Sequence, residues 1–171
     1  MAVADLFEES ISSDCQLIRD EACGGDQQIP LFLSKKKSRK TECCDVDLLV
    51  LKNRKIVIIV EIEESNVRPT QVCGKYLTAA LARYYVHETG NDEPLGMHDS
   101  ATFIQIMDSS KLKGRSSKFI QWQKLERSIQ DILPVEGSSI TNYRLFYGDK
   151  ADFENAEKCN GLVTCIKEAC E

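Results

Sequence analysis

A short stretch in the middle of the chain decides its fold: DVDLLVLKNRKIVIIVEIEE, residues 45 to 64. Two apolar runs flank a polar link and predict two neighbouring β-strands joined by a tight turn. Both strands carry acids at the same end of this hairpin: Asp45 and Asp47, then Glu61, Glu63 and Glu64. Carboxylates at the rim of a buried sheet are costly unless something compensates their charge. A divalent cation with oxygen ligands is the usual compensation, so the acidic end is a candidate metal site.

The turn between the two strands decides whether the acids meet. Side chains alternate along a strand, so Asp45 and Asp47 share one face. By the same alternation Glu61 and Glu63 share one face. A three-residue turn places the aspartates opposite the glutamates, with Asp47 facing Glu61 and Asp45 facing the second glutamate. A two-residue turn shifts the pairing by one residue, so that the aspartates no longer face the glutamates. The sequence of the turn allows either length.

The composition bounds the class of protein. With 171 residues, 42% hydrophobic and 29% charged, the chain is expected to form a single domain that spans residues 1–171. No apolar run is long enough to cross a bilayer, and the amino terminus lacks the pattern of a signal peptide. We therefore expect a soluble cytoplasmic protein with no membrane partner.

The net charge of −5 argues against a nucleic-acid partner only if the charges are evenly spread, and they are not. Basic residues gather in two clusters, one within residues 35–40 and one within residues 111–118. The members are Lys35, Lys36, Lys37, Arg39 and Lys40, then Lys111, Lys113, Arg115 and Lys118. Solvated loops are the usual explanation of such clusters, and a surface that contacts DNA phosphates is the alternative.

Hydrophobic periodicity predicts the other elements. Apolar residues from Val3 to Ala22 recur at helical spacing and predict a first helix of about twenty residues, ended by Gly24 and Gly25. Strands separated by helices predict an α/β fold, with a mixed central sheet flanked by helices on both faces. The remaining predictions are strands at 29–33, 101–107 and 143–147, helices from Pro69 to about His87, from 117 to 133 and from 151 to 170, and a loop at 88–100.

The eight cysteines are a high number for a cytoplasmic protein. Cys43 and Cys44 are adjacent, and Cys159, Cys165 and Cys170 lie near the carboxyl terminus. None forms a Cys-x-x-Cys unit or has the spacing of a zinc finger. We expect reduced thiols that fill apolar positions, with an iron–sulfur site or a disulfide as the alternative.

The acidic stretch resembles the PD-(D/E)xK nuclease superfamily. Asp47, its apolar tail and, after thirteen residues, Glu61-Ile62-Glu63 at the end of an apolar strand carry this resemblance. The predicted order of elements also matches the core of that fold, so the resemblance covers most of the chain. It implies a restriction endonuclease-like core and a Mg²⁺-dependent deoxyribonuclease, with Mn²⁺ as a substitute. Asp47 and Glu61 would hold the metal, with Asp45 as an accessory ligand.

The third position of the motif departs from most of the family. Glu63 stands where a lysine is typical, although some restriction endonucleases of the superfamily have Glu-x-Glu. A glutamate there can accept a proton from the attacking water. Lys75 offers a second solution, because the lysine of some members lies on the helix after the acidic strand. Either residue could fill the lysine's role.

Three further residues on or beside the neighbouring helices are candidates for the site. Gln71, one helical turn before Lys75 on the same face and near a glutamine position of the RecB-like branch, would contact DNA. Arg68 would bind a phosphate at the start of that helix. Glu8, in a segment similar to the opening helix of archaeal junction resolvases, would be a further metal ligand. For Arg68, Lys75 and Glu8 a surface position is the simpler alternative.

Three functions are open on these observations. The first is a Mg²⁺-dependent endonuclease that acts on DNA, whose basic loops contact phosphates and whose two copies cut both strands. The second is a catalytically inactive nuclease-fold module that binds nucleic acid or a protein partner. The third is a thiol-based redox or metal sensor built on the cysteines.

Overall fold

The computed structural model describes residues 2–87, 93–112, 117–155 and 157–171. Within these ranges, none of the helices combines the length and the apolar character needed to cross a bilayer. The elements in chain order are α1 (Ala2–Ser10), β1 (Cys15–Arg19), a 3-10 turn (Glu21–Cys23), β2 (Pro30–Phe32), β3 (Glu42–Asp45), β4 (Leu48–Lys52), β5 (Lys55–Glu63), α2 (Pro69–Leu81), β6 (Tyr84–Tyr85), β7 (Leu95–Asp108), α3 (Ser117–Gln130), β8 (Ile140–Gly148), α4 (Lys150–Phe153) and α5 (Asn160–Ala169).

The described strands form one mixed sheet of eight strands. Its main part has the order β1-β4-β5-β7-β8. In it β1, β4 and β5 are antiparallel neighbours, whereas β5, β7 and β8 run parallel. The start of the long strand β7 also pairs with β6, which continues the sheet through β2 to β3. The predicted α/β class with a large mixed sheet is therefore confirmed.

Two apolar cores cover the two faces of this sheet. On one face, α2 and α3 pack through side chains that include Tyr76 and Trp122. On the other face, α1 and α5 pack through side chains that include Phe7 and Ile166. All four of these side chains are at most 2% exposed. The burial of large apolar groups on both faces, worth about 1.5–3 kcal/mol for each side chain, fixes the helices on both sides of the sheet.

The amino-terminal segment differs from its prediction. Helix α1 ends at Ser10 after nine residues, not after the roughly twenty that helical periodicity predicts. The Cys15 N–H donates to the Ser12 carbonyl at 2.9 Å and closes a turn, after which the chain forms β1. The helical spacing of the apolar residues is misleading here because antiparallel pairing with β4 buries Ile18 in a strand.

Other boundaries also shift. The predicted single strand from Asp45 to Leu51 is divided, because β3 ends at Asp45 and β4 begins at Leu48. Helix α2 ends at Leu81 rather than near His87, since the chain continues into β6. Strand β7 begins inside the predicted loop 88–100, whose first five residues lie outside the described ranges. The predicted last helix is two helices, α4 and α5.

Candidate active site

The hairpin between β4 and β5 combines a short turn with a bulge. The turn has two residues, Asn53 and Arg54, whose φ angles are 50° and 62°. Two successive left-handed residues are typical of a type I′ turn. The expectation that a two-residue turn scatters the acids is nevertheless wrong, because β5 contains one extra residue. This residue is Val57, at the point where the pairing with β4 shifts register.

The bulge restores the register that brings the acids together. Beyond it, Leu48 pairs with Val60. Continuing this register places Asp47, the residue just before β4, opposite Glu61. The Asp47 N–H donates to the Val60 carbonyl at 3.2 Å, and the Ile62 N–H donates to Asp47 Oδ2 at 2.6 Å. These two bonds fix the Asp47 carboxylate beside the carboxyl end of β5.

Lys75 of α2 completes the cluster. Its Nζ lies 2.6 Å from Glu61 Oε2 and 3.3 Å from Glu63 Oε1. The side chain of Glu61 is 1% exposed and that of Glu63 is 10% exposed, whereas Lys75 is 40% exposed. The four predicted catalytic residues, Asp47, Glu61, Glu63 and Lys75, therefore share one half-buried site at the end of the central strands.

Burial sets the protonation of this site. It raises the pKa of Glu61 to about 8. The bond to Lys75 offsets only part of this rise, and the charges of the neighbouring carboxylates raise the pKa further. Burial also raises the pKa of Asp47 and of Glu63 above their ordinary values. For Lys75 burial alone would lower the pKa, but the bond to Glu61 and the three carboxylates raise it. Three carboxylates thus share a single ammonium.

Two carboxylate oxygens of the cluster are buried without a hydrogen-bond partner among the described residues, Glu61 Oε1 and Glu63 Oε1. The second of these still has Lys75 within ion-pair distance. Buried acceptors that lack a donor are uncommon and suit oxygen-seeking cations. Within the described ranges, no group of three or more His, Cys, Asp or Glu residues is already arranged around a common metal position. Instead, the Lys75 ammonium contacts both glutamates.

Two other predicted metal ligands lie apart from this cluster. Asp45 is exposed and ends β3, where it pairs with Pro30 rather than facing Glu63. Glu8 of α1 is also exposed and accepts a hydrogen bond from Arg19 at 2.9 Å. Because Arg19 pairs with the first residue of β4, Glu8 lies towards the same edge of the sheet as Asp47.

Two polar residues next to the acids are not among the predicted site residues. The Asp20 N–H donates to the Asp47 carbonyl at 3.0 Å, and the Asp20 charge contributes to the raised pKa of Asp47. Gln105 of β7 pairs with Glu61 of β5 and is fully buried. The only signal for Gln105 in the sequence is one polar residue inside an apolar strand.

The two basic loops lie at opposite ends of α2. Residues 35–40 belong to the exposed loop between β2 and β3, and Lys35 Nζ lies 6.0 Å from the ring centre of Tyr84, just beyond the end of α2. Near the start of α2, the Lys118 ammonium donates to the Val67 carbonyl at 3.0 Å, and the Lys111 N–H donates to Ser65 at 3.4 Å. The predicted DNA-binding residues Lys113 and Arg115 lie outside the described residues.

Arg68 and Gln71 mark the first turn of α2. The Gln71 side chain accepts a hydrogen bond from the Arg68 backbone N–H at 2.9 Å, which caps the helix. Both residues are exposed at the start of the helix. Gln71 thus has a structural role that is independent of any ligand.

The cysteines are all free thiols in the structure, and half of them are buried: Cys23, Cys159, Cys165 and Cys170. Burial raises the pKa of Cys44 to about 12 and that of Cys165 to about 11. A thiol with a raised pKa is a weak nucleophile and a weak metal ligand at neutral pH. These properties favour the interpretation of the thiols as apolar filling.

Comparison with protein-family models, with curated proteins and with solved structures finds no match. The functional interpretation therefore depends on the geometry of the site and on the resemblance carried by its residues.

Proposed function

We propose that this chain is a metal-dependent endonuclease that hydrolyses DNA phosphodiester bonds, of the PD-(D/E)xK type with a Glu-x-Glu motif. The observation that carries the proposal is the meeting of Asp47, Glu61, Glu63 and Lys75 in one half-buried site. The order of α1, the antiparallel strands β1, β4 and β5, α2 and the parallel strand β7 supports it, because the resemblance implies such a core. Strands β2, β3 and β6 are additional strands between these elements.

Asp47 and Glu61 are the residues that would hold the metal. Carboxylate oxygens are the ligands that Mg²⁺ prefers, and Mn²⁺ accepts the same ligands. The buried Glu61 Oε1 without a hydrogen-bond partner in the described part of the chain fits this requirement. A divalent cation would also offset the like charges that burial makes costly. When bound, it would polarise a phosphate oxygen and lower the pKa of a bound water.

Glu63 and Lys75 would have two separate roles in the reaction. The Glu63 carboxylate would accept the proton of the attacking water, a role for which a raised pKa is favourable at neutral pH. The Lys75 ammonium would turn from the glutamates to the phosphate and stabilise its developing negative charge. The partial exposure of the Lys75 side chain, 40%, supports this movement.

The DNA backbone would lie along α2. The two basic loops are at opposite ends of this helix, and Lys75 lies in its middle. A helix of this length spans about 20 Å, which allows several phosphates to contact the loops while one reaches the acids. Lys35, Lys36, Lys37, Arg39, Lys40, Arg68 and Lys111 would supply these contacts. Cleavage of both strands would require two copies of the chain.

Cleavage of supercoiled plasmid DNA tests this function. We expect the wild-type chain to nick the plasmid with Mg²⁺ or Mn²⁺ and to be inactive in EDTA. The Asp47→Asn variant should lose at least about 100-fold of the rate, because a metal ligand becomes neutral. Glu64→Gln is the matched control, since it neutralises an exposed acid next to the site. Absence of cleavage with every divalent cation would contradict the proposal.

The second candidate function is an inactive nuclease-fold module that binds nucleic acid or a protein. It is favoured by the Lys75 ion pairs, which compensate part of the acidic charge without any metal. Such a module would bind a labelled DNA duplex equally well in EDTA and in Mg²⁺. It would also bind unchanged after Asp47→Asn, and fluorescence anisotropy beside the cleavage assay separates the two functions.

A further inference from the structure

Gln105 is an amide buried where the strand is otherwise apolar. It lies near the carboxyl end of β7, is 0% exposed and pairs with Glu61 on the parallel neighbour β5. Paired residues on adjacent strands point to the same face of a sheet, so the Gln105 side chain shares the face of the acids. A fully buried amide needs partners for both its oxygen and its nitrogen.

The oxygen of this amide is held by Tyr143 of β8. The Tyr143 hydroxyl donates to Gln105 Oε1 at 2.5 Å. The Tyr143 ring is stacked on Phe103 at a centroid distance of 5.9 Å and meets the edge of Tyr76 at 5.4 Å. The rings hold Tyr143 in place, and with its hydroxyl as the donor the oxygen of the Gln105 amide faces Tyr143. The amide nitrogen then lies on the side of the acids.

The amide nitrogen has no hydrogen-bond partner within the described residues, and it is buried. The Gln105 amide is nevertheless close enough to Glu63 to lower the pKa of that carboxyl, against the larger rise that burial causes. Glu63 Oε1 is itself a buried acceptor without a hydrogen-bond donor in the same ranges, and Lys75 approaches it only to 3.3 Å. An unpaired donor and an unpaired acceptor thus belong to the same small site.

We propose that Gln105 is a positioning residue, whose amide nitrogen donates to the Glu63 carboxylate when Lys75 turns to the phosphate. The inference rests on the proposed function, and it names how Glu63 stays oriented once its ammonium partner has left. Tyr143 acts through Gln105, because its hydrogen bond to the amide oxygen keeps the amide nitrogen towards the acids. Hydrogen bonds of this kind are often long in the free enzyme and shorten in the reacting complex.

Steady-state cleavage of plasmid DNA with Mg²⁺ tests the inference through two variants. Gln105→Met keeps the length of the side chain without the amide, and Tyr143→Phe keeps the ring packing without the hydroxyl. For each we expect kcat to fall about tenfold while KM for DNA changes less than about twofold, since only the orientation of Glu63 is lost. Gln130→Met is the matched control, because the Gln130 amide donates to the Tyr143 backbone carbonyl and not to an acid. An unchanged kcat in Gln105→Met would overturn the inference.

A measurement without cleavage separates this inference from the proposed function. In a Lys75→Met background, in which Glu63 has lost its ammonium partner, we expect the side-chain NH₂ resonances of Gln105 to shift on Glu63→Gln and its amide hydrogens to exchange at a changed rate. They should stay unchanged in Glu64→Gln. Gln105 resonances that are unchanged by the Glu63 substitution would overturn the inference even if the wild-type chain cuts DNA. A wild-type chain that does not cut would overturn the proposed function, while these resonances would still decide whether Gln105 holds Glu63.

Discussion

In two places in this protein one cation contacts two acids, but the two clusters lie in different surroundings. In the first the nitrogen–oxygen distances are 2.6 and 3.3 Å, and in the second they are 3.0 and 2.9 Å. The acids of the first cluster are at most 10% exposed, whereas those of the second are about 60% exposed. The clusters are Lys75 with Glu61 and Glu63, and Arg19 with Asp5 and Glu8.

Access of water, and not distance, decides what these ion pairs do. Around Arg19, water screens the charges and the pairs contribute little to folding. Around Lys75, burial raises the pKa of Glu61 to about 8 and leaves three carboxylates to share one ammonium. The buried cluster is therefore suited to accept a second cation or a proton, and the exposed cluster is not.

The largest difference is expected when the cations are removed. Lys75→Met leaves Glu61 and Glu63 without their ammonium, and we expect a loss of about 2 kcal/mol in the free energy of unfolding. This is below the roughly 3–5 kcal/mol typical of a fully buried pair, because Lys75 is 40% exposed. Urea unfolding at pH 8.5, where the glutamates are more ionised, measures the loss. An equal loss in Arg19→Met would contradict the comparison.

The second difference concerns pH. The pKa of Glu61 rises from an ordinary value of 4.5 to about 8 on folding. Between these values the folded chain binds more protons than the unfolded chain, so its stability falls as the pH rises. The slope from this one group is at most about 1.4 kcal/mol per pH unit. Urea unfolding measures this fall in the free energy of unfolding from pH 5 to pH 8. The fall should be smaller in Glu61→Gln than in the wild type, and it should be unchanged in Glu8→Gln. A fall in Glu61→Gln as large as that of the wild type would contradict a buried, ionisable Glu61.

The smallest effect is expected at the exposed cluster. Arg19→Met should cost about 0.5 kcal/mol at low ionic strength, because both partner acids are well exposed. Most of this cost should vanish in about 1 M NaCl, where screening acts within about 3 Å. The loss in Lys75→Met should change little over the same range of salt. A salt-independent loss in Arg19→Met would mean that packing, and not charge, is what Arg19 contributes.

Alternation along a strand was sufficient to predict most of the acidic site. It groups Glu61 with Glu63 correctly, whereas Lys75 is indicated only by the resemblance, in which a lysine can lie on the helix after the strand. The register of the hairpin was not predictable, because the bulge at Val57 falls on an ordinary β-branched residue. Such a bulge depends on how the strand packs in the whole sheet, and no local pattern marks it.

The failures in the sequence interpretation all concern contacts between distant segments. Residues 15–19 have helical spacing and form a strand only because β4 lies beside them. Alternation groups Asp45 with Asp47, yet Asp45 pairs with Pro30 in a different part of the sheet. Gln105 reaches the site through the parallel pairing of β5 with β7, which connects residues more than forty positions apart. Local periodicity carries none of this information.

A crystal of this protein soaked in Mn²⁺ would show directly whether the buried cluster is a metal site. We expect an anomalous peak within coordination distance of the Asp47 and Glu61 carboxylates, with the Lys75 ammonium turned away from Glu61. A crystal at saturating Mn²⁺ with no peak there, and with Lys75 still 2.6 Å from Glu61, would contradict both the metal site and the nuclease function that depends on it.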